Sequence, residues 1–216
     1  STGFCSACPV GKTSDAGGGK TCDKCTAGYS GSWESHPDLL TLIDASKTTS
    51  TSFSDLKGTD MSWGVAAGTT VSHVAAAGEV GPYWDMSGGR FFTSTRREVG
   101  SSYTLFYYWS PIGSSYKDLH YGGTYYDYWV QVRDNNLGFY AGRGSTGFKD
   151  TTYDITVNTW QTLIVTGVAT DVDAVLGTST YYVNGMQVRN VGRVASGDTS
   201  CGIGYNYPGY DEVARE

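Results

Sequence analysis

At 216 residues the chain has room for one sizeable β domain and a small appendage. It carries 30 Gly, 17 Tyr and 6 Trp against 3 Met, a turn-rich and aromatic-rich composition that speaks against a helical protein. A net charge of −6, with 15 Lys plus Arg scattered along the chain, excludes a basic nucleic-acid patch, and no apolar run approaches the roughly 18 residues of an inserted membrane span.

Residues 1–31 differ from the rest. They hold Cys5, Cys8, Cys22 and Cys25, a run of Gly17, Gly18 and Gly19, and almost no apolar side chains. Such a segment cannot bury a core and needs cross-links. Two readings of Cys-x2-Cys…Cys-x2-Cys compete: a zinc site and a disulfide ladder. The string CSACPVGKTSDAGGGKTCDKCTAGY resembles the ephrin-receptor-like (GCC2/GCC3) cysteine repeat, an EGF/TNFR-like module of secreted and cell-surface proteins. That resemblance implies disulfides, with Cys8 joined to Cys22, a closure contributing roughly 3 kcal/mol. Cys5 then pairs with Cys25 or with a cysteine of a further repeat. Cys201 reads as a small buried residue beside a strand, with a tie to Cys5 or Cys25 or an intermolecular bridge as the other reading. The chain opens inside this motif and stops at Glu216 inside an apparent strand, so we expect a piece of a longer protein.

Two Gly-rich strings are decoys. Gly19-Lys20-Thr21 has Ser14 where a phosphate loop wants Gly, and Gly142–Gly147 matches GxGxxG with no helix to follow. Residues 32–37 read as a linker, and 38–216 as one β domain.

Within that domain Asp38–Ala45 reads as a first strand, followed by a Ser/Thr/Gly-rich stretch with short strands near Met61–Val65 and Thr70–Ala75, then Arg90–Thr93. Tyr103–Trp109 is a strong strand. Tyr103, Leu105, Tyr107 and Trp109 share one face, and Thr104, Phe106 and Tyr108 the other. Both faces are rather apolar, which predicts a central position in a sheet. Tyr125–Arg133 and Leu137–Ala141 flank a turn at Asp134-Asn135-Asn136, and Thr159–Gly167 is a further strand. Asn184-Gly185 between β-prone runs predicts a two-residue type I′ hairpin. Its register sets Val183 opposite Met186, Tyr182 opposite Gln187, Tyr181 opposite Val188 and Thr180 opposite Arg189. Cys201–Asn206 and Gly209–Arg215 close the sheet. Many strands with short turns give an all-β, antiparallel, two-sheet sandwich.

The ordered series SSYTLFYYWSP, YWVQVRDNNLGFYAG, NTWQTLIVTG, GTSTYYVNGMQV, GIGYN and PGYDEVARE resembles the laminin-G-like, concanavalin-A-like superfamily. The resemblance implies a jelly-roll sandwich, on which lectins, adhesion modules and hydrolases all occur.

Three chemistries occur on that fold. A glycoside hydrolase needs paired carboxylates, as in Glu-x-Asp-x-x-Glu, and the five Glu residues form no such set, so a chain without catalysis is expected. Glycan binding needs exposed aromatics, and Tyr121, Tyr125, Tyr126, Tyr128 and Trp129 crowd one segment. Calcium at the sandwich rim is implied by the resemblance, with Asp134, Asn135, Asp171 and Asp173 as candidate ligands in oxygen-rich loops. The expectation is thus an extracellular or cell-surface recognition or adhesion module binding a glycan or protein partner. The alternatives are a structural subunit of a filament or homo-assembly packed through exposed aromatics, and a glycoside hydrolase on the same fold.

Overall fold

The structure is a computed structural model that describes residues 42–54, 56, 62–76, 81–93, 102–112, 117–122, 127–141, 147–169, 177–191 and 200–203. Side chains at 117, 118, 121, 122, 127–129, 141, 169, 190, 191 and 200–203 are placed by backbone only. Among the described residues every regular element is a strand, and no helix is long and apolar enough to cross a membrane.

The larger sheet has eight strands: β1 (Ser52–Ser54), β2 (Ser62–Val65), β5 (Phe91–Phe92), β14 (Ser200–Ile203), β7 (Lys117–Gly122), β8 (Asp127–Arg133), β9 (Asn136–Ala141) and β10 (Gly147–Asp154), in that spatial order. The smaller has β13 (Met186–Val191), β12 (Gly177–Val183), β11 (Gln161–Ala169) and β6 (Ser102–Trp109). A separate pair, β3 (Thr70–Val74) and β4 (Tyr83–Gly88), stands between β2 and β5 in the chain. Every pairing is antiparallel. The chain passes from the large sheet to the small at β5–β6, returns at β6–β7, crosses again at β10–β11 and returns at β13–β14. This is a sandwich of the jelly-roll kind, as expected.

The main core lies between the sheets. Val130, Val132, Leu137, Phe139 and Ile155 meet Leu163, Val165, Tyr181 and Val183, with Tyr103, Leu105, Tyr107 and Trp109 packed against them. A second cluster of Trp63, Val71 and Phe91 is capped by Phe53 and Trp84. Phe53 stacks on Trp84 at 5.5 Å, and both meet Phe91 edge-on.

Four expectations are corrected. Leu42–Asp44 form no strand, and Ala45–Lys47 is a turn. The Asp44 carboxylate accepts both the Ser46 N–H at 2.8 Å and the Ser46 hydroxyl at 2.7 Å, a local bond that competes with a strand ladder. The Asn184-Gly185 turn does form, with φ of 49° and 79°, and it sets Val183 opposite Met186 and Tyr182 opposite Gln187. Beyond it a bulge intervenes, so Tyr181 lies opposite Arg189 and Thr180 opposite Asn190. Met186, placed by alternation on the core face, is 67% exposed at the hairpin tip. Finally, among the described residues β6 has a strand neighbour on one side only, where a central position was expected. Its inner face packs on the core as read, and Phe106 and Tyr108 on its outer face are exposed. Its second row of aromatics therefore reflects exposure and not a second packed layer.

Candidate aromatic face and the polar pair beneath it

Register assigns the outer face of the small sheet residue by residue. Phe106 lies opposite Ile164, which lies opposite Tyr182; Thr104 lies opposite Thr166, which lies opposite Thr180; Tyr108 lies opposite Thr162. Phe106 is 49% exposed and Tyr108 59%. Trp160 sits two residues before Thr162 and so is the diagonal neighbour of Tyr108 on the same face. The two rings stack with centroids 5.1 Å apart and planes inclined by 27°. Tyr83, at the start of β4, meets the indole edge-on at 5.2 Å. The loop before Trp160 is pinned by the Asn158 N–H, which donates to the Pro111 carbonyl at 2.7 Å, with Asn158 itself at a φ of 56°. Tyr83, Trp160 and Tyr108 thus form an aromatic platform with Thr162 beside it, opposite Tyr108, whereas the Thr104, Thr166 and Thr180 row lies beyond Phe106, Ile164 and Tyr182. Flat ring faces with nearby hydroxyls suit a ligand that is apolar on one side and hydroxyl-rich at its rim.

The hairpin turn is fastened to the same sheet. The Asn184 side-chain oxygen accepts the Thr162 N–H at 3.0 Å, while the Asn184 N–H donates to the Thr162 carbonyl at 3.0 Å. Asn184 therefore serves the turn and anchors the strand leading out from Trp160.

On the inner side of β6 lies a polar pair. The Tyr107 hydroxyl contacts Nδ1 of His120, bridging the two sheets, with ring centroids 6.0 Å apart. Burial lowers the His120 imidazole from 6.5 to about 3, so it is neutral at ordinary pH. Burial, and next the Tyr103 charge, push the Tyr107 phenol well above its ordinary value. Both groups stay uncharged, and the pair is a structural hydrogen bond inside the core. The Tyr103 hydroxyl adds a bond of 3.2 Å to Ser179 Oγ.

The candidates read from the sequence fall elsewhere. Tyr121 is in β7, and Tyr128 and Trp129 are in β8; register sets Tyr121 opposite Tyr128 and Tyr128 opposite Tyr140. Their side chains, and the whole of Tyr125 and Tyr126, lie outside the described residues. Asp134 and Asn135 are the two centres of the β8–β9 turn, at φ of 50° and 67°, with Asn136 already in β9. The Asn135 carbonyl accepts the Ile155 N–H at 2.9 Å, and its side-chain oxygen is buried with no hydrogen-bond partner among the described residues. Asp171 and Asp173 lie outside the described residues, as do Cys5, Cys8, Cys22 and Cys25. Among the described residues no three His, Cys, Asp or Glu side chains gather as a metal site. The sequence did carry a signal for the platform: the polar-aromatic row Thr104, Phe106, Tyr108 and the lone Trp160. It was masked because an apolar second face also signals a central strand.

No protein-family model matches the chain, and no curated protein matches it. Among solved structures it is similar to one titled "Crystal structure of BuGH16Bwt", at 14% sequence identity and a TM-score of 0.33. The match covers 66% of this chain and 64% of that one, so the chain spans just under two thirds of that protein's length. The name belongs to glycoside hydrolase family 16, and the expectation of a chain without catalysis is corrected on that finding. The sequence argument against hydrolysis rested on the spacing of five Glu residues, and all five lie outside the described residues. At this level of similarity no residue of this chain inherits a role.

Proposed function

We propose that the chain is a carbohydrate-binding β-sandwich of the laminin-G-like, concanavalin-A-like kind, acting outside the cell or at its surface. The observation that carries the reading is the exposed Tyr108 ring stacked on Trp160, with Tyr83 closing the end. Stacked aromatics left in water on a sheet face cost the fold solvation it could avoid, and a pyranose ring offers a matching apolar face. Thr162, opposite Tyr108, supplies a hydroxyl that orients the sugar. The cysteine repeat that residues 1–31 resemble, which would bond Cys8 to Cys22, suits an extracellular setting. Calcium at the rim belongs to the same reading: the Asn135 side-chain oxygen, with no hydrogen-bond partner among the described residues, is the hard donor such an ion takes, with Asp134 in the same turn, while Asp171 and Asp173, in the segment after the other end of β11, are candidates for a separate site. Hydrolysis of the bound glycan is the second reading, taken from the family-16 name of the structural match.

The test is a titration of the chain with soluble oligosaccharides, with and without chelator, read for affinity and for released reducing ends. Trp160→Ala is expected to weaken binding about fivefold to tenfold, as the loss of roughly 1 kcal/mol of stacking requires. Unchanged affinity in that variant would remove the platform from the reading. Reducing ends released by the wild-type chain would select hydrolysis.

A further inference from the structure

The aromatic platform occupies one end of a longer face. Side chains alternate along a strand, so the ladders that join β6, β11 and β12 sort this face into rows. Beyond Tyr108 and Thr162 comes an apolar row of Phe106, Ile164 and Tyr182, then a hydroxyl row of Thr104, Thr166 and Thr180. A last row holds Ser102, Val168 and Thr178. Gln187, opposite Tyr182, carries the face onto β13. At about 6.7 Å per row and about 4.8 Å per strand, the face measures roughly 20 Å along the strands and roughly 14 Å across them. Every described side chain that register sets on it is uncharged, in a chain with 15 Lys plus Arg and 21 Asp plus Glu. Arg189 of β13 turns the other way: it lies opposite the core residue Tyr181, and its Nη1 donates to Thr152 Oγ1 of the facing sheet at 3.4 Å.

We infer that the rows beyond the rings belong to the binding surface, and that the ligand is a neutral, linear polysaccharide lying along the strands. This rests on the carbohydrate reading of the platform and names the class of glycan that the face takes. Charge is the first reason. A uronate or sulfate laid on these rows would lose water and meet no cation among the described side chains, and a chain of net charge −6 repels a polyanion at longer range. A neutral sugar meets neither obstacle. Pattern is the second. The rows pass from rings to an apolar row to a hydroxyl row, and a pyranose chain offers the same two surfaces, apolar ring faces and hydroxyl edges. Phe106 and Thr104 are exposed, and Ile164, Thr166, Thr180 and Tyr182 are half-buried, so both rows meet solvent. Shape is the third. One sugar covers the rings alone, and a ligand stacked at Trp160 reaches the threonine row only by extending along β11.

Calorimetric titration tests it, with length ladders of neutral gluco-, manno-, galacto- and xylo-oligosaccharides beside polygalacturonate and a sulfated glycosaminoglycan. At least one neutral ladder is expected to bind, with an affinity that climbs as sugars are added to the disaccharide and then levels. The two polyanions are expected not to bind. Thr166→Asp and Thr104→Asp each set a carboxylate in the row beyond the rings, with the melting temperature as the control for folding. Each is expected to weaken the longest ligand about tenfold more than the disaccharide, the scale of an unpaired charge taken partly out of water. Equal affinity for the disaccharide and the longest ligand overturns the inference and leaves the platform reading standing. So do aspartate variants that change all lengths alike or none, and so does an acidic polymer that binds more tightly than every neutral one. Sedimentation at the same concentrations adds one more outcome: a dimer that Thr104→Asp disperses would mean that a second copy covers the face, and it overturns the inference. A wild-type chain that binds no ligand in the set removes the platform reading and the inference together.

Discussion

Gly167 shows how one residue sets the small sheet. In register it lies between Tyr103 and Ser179, and the Tyr103 ring lies flat across it to reach Ser179 Oγ. A Cβ there would overlap the Tyr103 ring at Cζ, with no room for a methyl group. Gly167→Ala should therefore cost about 1–3 kcal/mol in denaturant unfolding, the usual range for overpacking. In a Tyr103→Ala background the same change should cost little; an equal cost in both backgrounds would show that the strain lies elsewhere. His120 gives a pH signature at the same scale. Unfolded, it binds a proton below about 6.5; folded, only near about 3. Its contribution is complete above the unfolded value and is lost as pH falls between the two, at about 1.4 kcal/mol per pH unit. The stability of the wild-type chain should thus fall between about pH 6.5 and about pH 5, ahead of most carboxylates. His120→Gln should flatten that segment, and an unaltered slope would place the titrating group elsewhere. Neither role was legible beforehand: a Gly and a His in strands announce nothing until register shows which side chain crosses them.

Elements were read with uneven success, and the reasons are physical. The Asn184-Gly185 and Asp134-Asn135 turns were clear because left-handed φ at two successive residues selects a narrow set of side chains. β6, β8, β9, β11 and β12 were also found, since their alternation or aromatic density is strong. β4, β7 and β10 were not. Tyr-Trp-Asp-Met-Ser-Gly and Lys-Asp-Leu-His-Tyr-Gly lack the β-branched residues that mark a strand, and they form because a neighbouring ladder receives them. The hairpin register failed beyond Tyr182 because a bulge leaves no local sequence mark. The place of β6 in its sheet is the most telling miss. The two apolar faces of β6 fit either burial between layers or a surface kept for a partner, and sequence alone does not separate them.

For the molecule as a whole, fold class followed from composition and turn spacing, and both sheets and their antiparallel order agree with it. The site did not follow in the same way. Counting aromatics pointed to Tyr121–Trp129, whereas the assembled sheets set Tyr83, Tyr108 and Trp160 together from three distant parts of the chain. A platform drawn from β4, β6 and the approach to β11 has no linear motif, which is why spacing missed it. The proposed glycan site therefore depends on one small sheet, whose outer face carries the rings that would hold a sugar. Oxidative footprinting of the chain with and without a bound oligosaccharide separates the two candidate surfaces. The account predicts that saturating ligand protects Tyr108 and Trp160 while Tyr128 and Trp129 oxidise as before. Protection confined to Tyr128 and Trp129, with Tyr108 and Trp160 unchanged, would contradict it.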